Sequence, residues 1–369
     1  MKTMIRKILM AAGLLLVTME GLASVLQDTV LTMGWSQYSV DSLLNICRPL
    51  AQTDVKAAEE KLLRFKQQHF GFPAELYIAQ LYDAADKKGT AYRAEVAHAY
   101  DQMSLSLMSQ GDMELYVLSL FYSGRNDDCA KKAREALAYY PQSLPLNRYF
   151  FRSLVSQGHY RESLAAYDKL TRCMPAIMEH SDTVHYAMAM NNLAKSLTKA
   201  GQYEEAERLY APYVERCRAE KRLTDDMVFF LADNYISWAG QLDSVAKRNV
   251  LQKADKLLAQ RIPETKVNDD LFAYMRVALV DFQLDPEAQS GVAVPAIRQM
   301  EKVFKSKGAL DELHKERLVM GYRYMMSYFF LEKEDYKTAK AYTDKLLALE
   351  PDNESALQLK GLFDRAGIK

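Results

Sequence analysis

A spacing of 34 residues recurs in the middle of this chain and constrains its fold more than any other feature. Gly124 and Gly158 lie 34 residues apart, and so do Pro141 and Pro175. Apolar residues between these positions recur every three or four residues, which predicts amphipathic helices. Glycine suits the left-handed residue after a helix, and proline cannot continue a helix. The spacing therefore predicts consecutive antiparallel helix pairs, with each Gly ending the first helix and each Pro following the second.

The same pattern predicts helices along most of the chain. The two spaced repeats give helices over 113–123, 127–140, 146–157 and 160–172. Further pairs are predicted over 75–86 with 92–107, 227–239 with 243–260, and 271–282 with 296–305. Single helices are predicted over 39–46, 54–68 and 355–365, and Thr53 and Thr224 are the predicted N-caps of their helices.

Two short segments resemble a known family. They read GQYEEA over 201–206 and EDYKTA over 334–339, the second followed by Pro351. Each resembles the centre of a tetratricopeptide repeat, where a turn with Tyr precedes a small residue at the contact between two helices. Ser163 and Cys129 take the place of the small residue in the two spaced repeats. The large aromatic residue that opens the first helix of the family repeat is absent.

The resemblance implies an all-α fold, a right-handed α-solenoid of antiparallel helix pairs. We expect the helical array over 39–285, a loop over 286–295, and C-terminal repeats with a capping helix over 296–369. A single helix pair cannot bury its own apolar face, so at least three pairs must stack.

The N-terminus has the pattern of a secretory signal peptide. Lys2, Arg6 and Lys7 precede an apolar run, and cleavage is expected after Ala23. The alternative is an uncleaved membrane anchor, but the run is shorter than a typical spanning helix, and no Cys directly follows it that would carry a lipid. We expect residues 1–23 to be removed, residues 24–38 to form a leader, and the mature chain to be periplasmic or secreted, without a transmembrane segment or lipid anchor.

Composition and motifs argue against several classes of function. Lys plus Arg and Asp plus Glu both number 48, so no net charge attracts nucleic acid. The chain has no GxGxxG, GKS, GKT, GxSxG or HExxH motif. His180 and His185 are five residues apart and would not share a helix face, so Glu179, Asp182 and Thr183 are predicted to cap the following helix. We expect no enzyme activity, cofactor or metal.

The family resemblance points to a binding groove, because the first helix of each repeat lines the concave face of such arrays. The residues assigned to this groove are Phe121, Tyr122, Arg148, Tyr149, Arg152, Asn191, Asn192, Lys195 and Lys199. Arginine binds carboxylates through two nitrogens, and the asparagine side chain can form hydrogen bonds with a peptide backbone. The expected partner is a protein or peptide with an acidic segment or a free C-terminus. The alternative is that these residues form an ordinary solvated surface.

The sequence also suggests a second candidate binding surface and an alternative function. Tyr324, Met325 and Tyr328 are predicted to form an apolar surface for a partner, and the alternative is that they belong to the core. The favoured function is a non-catalytic scaffold of the cell envelope that binds a protein or peptide. The alternative is an exported module that binds carbohydrate or another small ligand, since 23 Tyr residues offer stacking faces.

Overall fold

The computed structural model describes residues 35–173 and 178–368. These residues contain helices and loops but no strand, as the sequence predicts. They divide into two compact units, one reaching Ala189 and the other starting at Met190. The predicted signal peptide and Pro175 lie outside the described residues, as does most of the predicted leader. None of the described helices has the length and apolarity that a bilayer crossing requires.

The first unit contains helices α1 to α8 and the N-terminal half of α9. Their bounds are α1 Gln37–Ala51, α2 Val55–Gln68, α3 Ala74–Ala85, α4 Arg93–Asp101, α5 Gln110–Tyr122, α6 Asn126–Leu137, α7 Leu144–Ser156, α8 Tyr160–Cys173 and α9 His180–Lys199. A short 3-10 turn, Leu105–Leu107, precedes α5. The core holds large side chains from successive pairs, with Phe72, Tyr100, Leu120 and Phe151 almost completely buried.

The second unit contains the remainder of α9 and the helices that follow it. Their bounds are α10 Tyr203–Ala219, α11 Asp225–Ala239, α12 Ser244–Arg261, α13 Asp269–Met275, α14 Val294–Ser306, α15 Glu312–Ser327, α16 Tyr336–Leu349 and α17 Glu354–Ala366. Two of them continue as π-helix, α13 through Arg276–Asp281 to a last turn at Phe282–Leu284, and α15 through Tyr328–Glu332. Phe272, Phe304 and Phe363 are buried in this unit.

The predicted glycine turns are present. Gly124, Gly158 and Gly201 have φ angles of 78°, 80° and 75°, the left-handed conformation that glycine adopts at no steric cost. In each turn the N–H of the following residue donates to the carbonyl five residues earlier, as Arg125 does to Leu120 over 2.9 Å. These bonds satisfy carbonyls that the end of a helix leaves open.

The small residue predicted at each helix contact is buried in all four repeats. Cys129, Ser163, Ala206 and Ala339 are each no more than 1% exposed. The Sγ of Cys129, on α6, lies 3.4 Å from the carbonyl oxygen of Val117 on α5. A side chain this small lets the two backbones approach closely. Burial also raises the pKa of the Cys129 thiol to about 12.

The structure corrects the predicted ends of several elements. α1 begins at Gln37, inside the predicted leader, and continues to Ala51 although it contains Pro49. Asp54 caps α2, because its carboxylate accepts from the N–H of Ala57, whereas the Thr53 hydroxyl bonds back to Leu50. Thr224 caps α11 as predicted.

Candidate functional site

Two arginines of the predicted groove lie side by side on α7. The Ser143 hydroxyl caps this helix by accepting from the N–H of Leu146, and a proline in the first turn favours the helical backbone. Arg148 and Arg152 are four residues apart and therefore share a face. Both are buried, with 7% and 2% of their surface exposed.

Two carboxylates at the start of α9 neutralise these arginines. The fully buried Asp182 lies 3.1 Å from Nε of Arg148 and 2.6 Å from Nη2 of Arg152. Glu179 approaches from the exposed side, with Oε1 2.7 Å from Nη1 of Arg148 and Oε2 2.7 Å from Nη2 of Arg152. We call these four residues the arginine cluster. Its formal charges cancel, so this part of the predicted groove is not a free basic surface.

Interactions of both α7 and α9 hold the arginine cluster together. Asp182 also accepts from the backbone N–H of Glu179 over 3.0 Å, which fixes the start of α9 and agrees with the predicted capping role. Burial alone would lower the pKa of Arg152, but the two carboxylates raise it above its ordinary value. Arg152 therefore stays charged, and its charge is matched within the first unit.

Three predicted aromatic residues form a second group beside the cluster. The ring centroids of Phe121, Tyr122 and Tyr149 are 5.3 to 5.9 Å apart, within the range of favourable aromatic contacts. We call them the aromatic triad. Tyr149 is buried, whereas Tyr122 is 48% exposed. The guanidinium carbon of Arg152 lies 5.6 Å from the centre of the Tyr149 ring, so Tyr149 joins the triad to the arginine cluster.

The remaining predicted groove residues belong to the second unit. Lys195 and Lys199 are exposed on α9, and Asn192 is partly exposed. Asn191 accepts a hydrogen bond from the hydroxyl of Tyr210 on α10, so its side-chain oxygen is engaged inside this unit. That these residues bind a partner stays a prediction.

The second candidate surface is not a surface in this structure. Tyr324, Met325 and Tyr328 are at most 7% exposed, which agrees with the core alternative. The reason is the loop that follows Leu284, because its Asp285 accepts from the Tyr324 hydroxyl. Burial alone would raise the pKa of Asp285, but this hydroxyl and three backbone N–H groups, including that of Gly291, hold it at about 2.

The sequence did not predict that Glu179 and Asp182 form ion pairs with the two arginines of the cluster. Helix spacing assigns Glu179 and Asp182 only to capping. A signal is nevertheless present, since Asp182 follows Arg148 by 34 residues, which is one repeat length. An arginine and an aspartate that are one repeat length apart lie on the first helices of two successive repeats, where their side chains can form an ion pair.

Comparisons with known proteins give matches among solved structures only. No family model matches the chain, and no curated protein matches it. Among solved structures, the C-terminal part of a TPR repeat-containing protein from Cytophaga hutchinsonii matches 86% of this chain and 98% of its own, at 15% identity and a TM-score of 0.28. Naa15 in a Naa15/Naa10 complex bound to HypK-THB matches 78% of this chain and 44% of its own, at 14% identity and a TM-score of 0.35.

The APC/C hetero-tetramer Cut9–Hcn1 supplies a third match. The match covers 90% of this chain and 57% of the matched chain, at 14% identity and a TM-score of 0.24. These scores are too low to transfer any function to this chain.

Proposed function

We propose that this chain is a non-catalytic scaffold whose first unit binds a protein or peptide segment through the aromatic triad and the adjoining arginine cluster. The observation that carries the proposal is the half-exposed ring of Tyr122, which rests on the buried Tyr149 and the partly buried Phe121. An exposed aromatic ring on a rigid aromatic base is typical of the residues that dominate binding energy at protein interfaces.

The chemistry of the neighbouring groups specifies the partner. Glu179 covers the exposed edge of an arginine pair, and arginine binds carboxylates through paired hydrogen bonds. We therefore propose a partner segment that combines an aromatic or apolar side chain with acidic residues or a free C-terminus.

Selection from a peptide library tests this proposal and requires no identified partner. A display library of short random peptides is selected against the purified chain, against Tyr122→Ala and against Tyr139→Ala. Tyr139 is the matched control, because it is an exposed tyrosine of the same unit outside the triad. We expect the wild type and the control to enrich the same acidic, aromatic-containing peptides and Tyr122→Ala to lose them. Equal enrichment by all three would contradict the proposal.

Export is the second part of the proposal and concerns residues outside the described range. The basic residues Lys2, Arg6 and Lys7 before an apolar run support a cleaved signal peptide. We propose a periplasmic or secreted mature chain that begins at Ser24. The mass of the chain purified from its source organism tests this, since retention of residues 1–23 would contradict cleavage.

One observation favours the carbohydrate or small-ligand alternative. A polar cavity of about 460 Å³ in the second unit is lined by Tyr203, Trp238, Gln202, Gln241 and Arg208, among others. An aromatic ring beside amide and charged groups can stack on a sugar ring and bond its hydroxyls. Titration of the chain with oligosaccharides, followed by tryptophan fluorescence, should show a saturable change that Trp238→Phe abolishes if this alternative holds.

A further inference from the structure

Glu179 occupies the arginine pair in the way that an outside carboxylate would. Its two oxygens are divided between two side chains, Oε1 at 2.7 Å from Nη1 of Arg148 and Oε2 at 2.7 Å from Nη2 of Arg152. One carboxylate therefore bridges two guanidinium groups. Charge-assisted hydrogen bonds of this length are also those by which arginines bind the carboxylate of a ligand.

The two acidic residues of the cluster differ in how firmly they are held. The Asp182 side chain is 0% exposed, so water cannot replace its arginine partners. The Glu179 side chain is 50% exposed and can turn into solvent, where its charge is hydrated. Separation of Asp182 from the arginines would leave a fully buried carboxylate without a partner, which is strongly disfavoured, whereas the Glu179 carboxylate would gain hydration on leaving. Of the two carboxylates, Glu179 is therefore the one in a position to leave.

Departure of Glu179 would leave a site suited to one class of ligand. Arg148 and Arg152 would keep Asp182, so the cluster would carry one net positive charge. Glu179 would release one hydrogen-bonding position on Nη1 of Arg148 and one on Nη2 of Arg152, and Nη2 of Arg152 would keep its 2.6 Å contact with Asp182. An incoming carboxylate would restore both the hydrogen bonds and the charge balance.

We propose that Glu179 is an internal ligand of the arginine pair and that a carboxylate of the partner displaces it on binding. This inference rests on the proposed function and adds its regulation, because the closed contact lowers the apparent affinity for every acidic partner. If Glu179 occupies the pair about nine-tenths of the time, removing it strengthens binding about tenfold.

The test uses a defined probe, a fluorescein-labelled oligoglutamate peptide with a free C-terminus, and fluorescence anisotropy of the full chain. The variants are Glu179→Ala, Glu179→Gln and Glu162→Ala. Glu162 is the matched control, since it is exposed, pairs with Arg134 over 2.6 Å and changes the net charge equally when removed. We expect both Glu179 variants to bind the peptide about tenfold more tightly than the wild type and Glu162→Ala to bind within about twofold of it.

Each other outcome overturns the inference. Equal affinity of the wild type and both Glu179 variants would show that Glu179 does not compete with the peptide, and no binding by any of them would show that the pair does not accept an outside carboxylate. An equal gain for Glu162→Ala would assign the effect to net charge. The proposed function is tested by a different experiment, the peptide selection with Tyr122→Ala. If that selection is insensitive to Tyr122→Ala, the proposed function fails, and this result does not depend on Glu179.

Discussion

Arg148 on α7 and Asp182 on α9 are 34 residues apart and joined by a hydrogen bond of 3.1 Å from Nε to Oδ2. Their separation equals the repeat length, so the bond links two successive first helices of the array. Arg152, one turn further along α7, donates to the same carboxylate over 2.8 Å. The repeat spacing thus positions the arginine cluster as well as the helices.

Removal of Asp182 should destabilise the first unit strongly. Asp182→Ala leaves two buried arginines with only the half-exposed Glu179 as partner in the cluster. Breaking a buried ion pair costs about 3–5 kcal/mol, and we expect a loss of that size in the free energy of unfolding, measured by urea denaturation. Glu162→Ala, which breaks an exposed pair, should cost less than about 1 kcal/mol. Similar losses for both variants would contradict the structural role of the cluster.

A glycine at position 334 should stabilise the second unit. Glu334 occupies the turn position that Gly124, Gly158 and Gly201 hold in other repeats, and its φ of 53° lies in the left-handed region that side chains disfavour. Glu334→Gly should raise the free energy of unfolding by about 0.5–1 kcal/mol in thermal or urea denaturation. The reciprocal Gly124→Ala should lower it by a similar amount. A loss of stability in Glu334→Gly would contradict this interpretation of the turn.

The stability of the second unit should fall as the pH rises from about 4 to about 8. Asp281 is 1% exposed, its oxygens accept no hydrogen bond among the described residues, and its side chain lies within hydrogen-bonding reach of Asp255. Burial, reinforced by the charge of Asp255 and opposed by Arg276, raises the pKa of Asp281 to about 8. The unfolded chain, with an ordinary Asp pKa of about 3.9, loses this proton at lower pH, so the folded state is progressively disfavoured across the interval.

Asparagine at position 281 should remove this dependence. Urea denaturation at several pH values should give Asp281→Asn a flatter profile than the wild type between about pH 4 and 8. The exposed Asp344→Asn, which changes the net charge equally, should keep the wild-type slope. A wild-type slope in Asp281→Asn would show that another group titrates.

Local sequence rules account for the helices and their turns. The positive φ of Gly201 and the complete burial of Ala339 follow from a repeat pattern that is readable in the sequence. The π-helical segment Tyr328–Glu332 could not be read in this way. There the Asp335 N–H donates to Phe329, six residues earlier instead of five, because the segment contains one residue more than the other repeats.

The candidate site was predictable only in part. Helical spacing correctly placed Arg148 and Arg152 on one face, but burial depends on what packs against that face. Asp182 supplies the missing charge from another helix, and periodicity within α7 carries no information about it. Tyr324 illustrates the same limit, since Asp285, its hydrogen-bond partner in the covering loop, is 39 residues away in the chain.

The central claim is that the aromatic triad binds a partner segment, and the affinity of a selected peptide tests it most directly. Dissociation constants are measured by calorimetry for the wild type, Tyr122→Ala and the control Tyr139→Ala. We predict that Tyr122→Ala weakens binding tenfold or more, equivalent to about 1.4 kcal/mol, while Tyr139→Ala binds as the wild type does. Unchanged affinity in Tyr122→Ala, with the peptide still bound, would contradict the account.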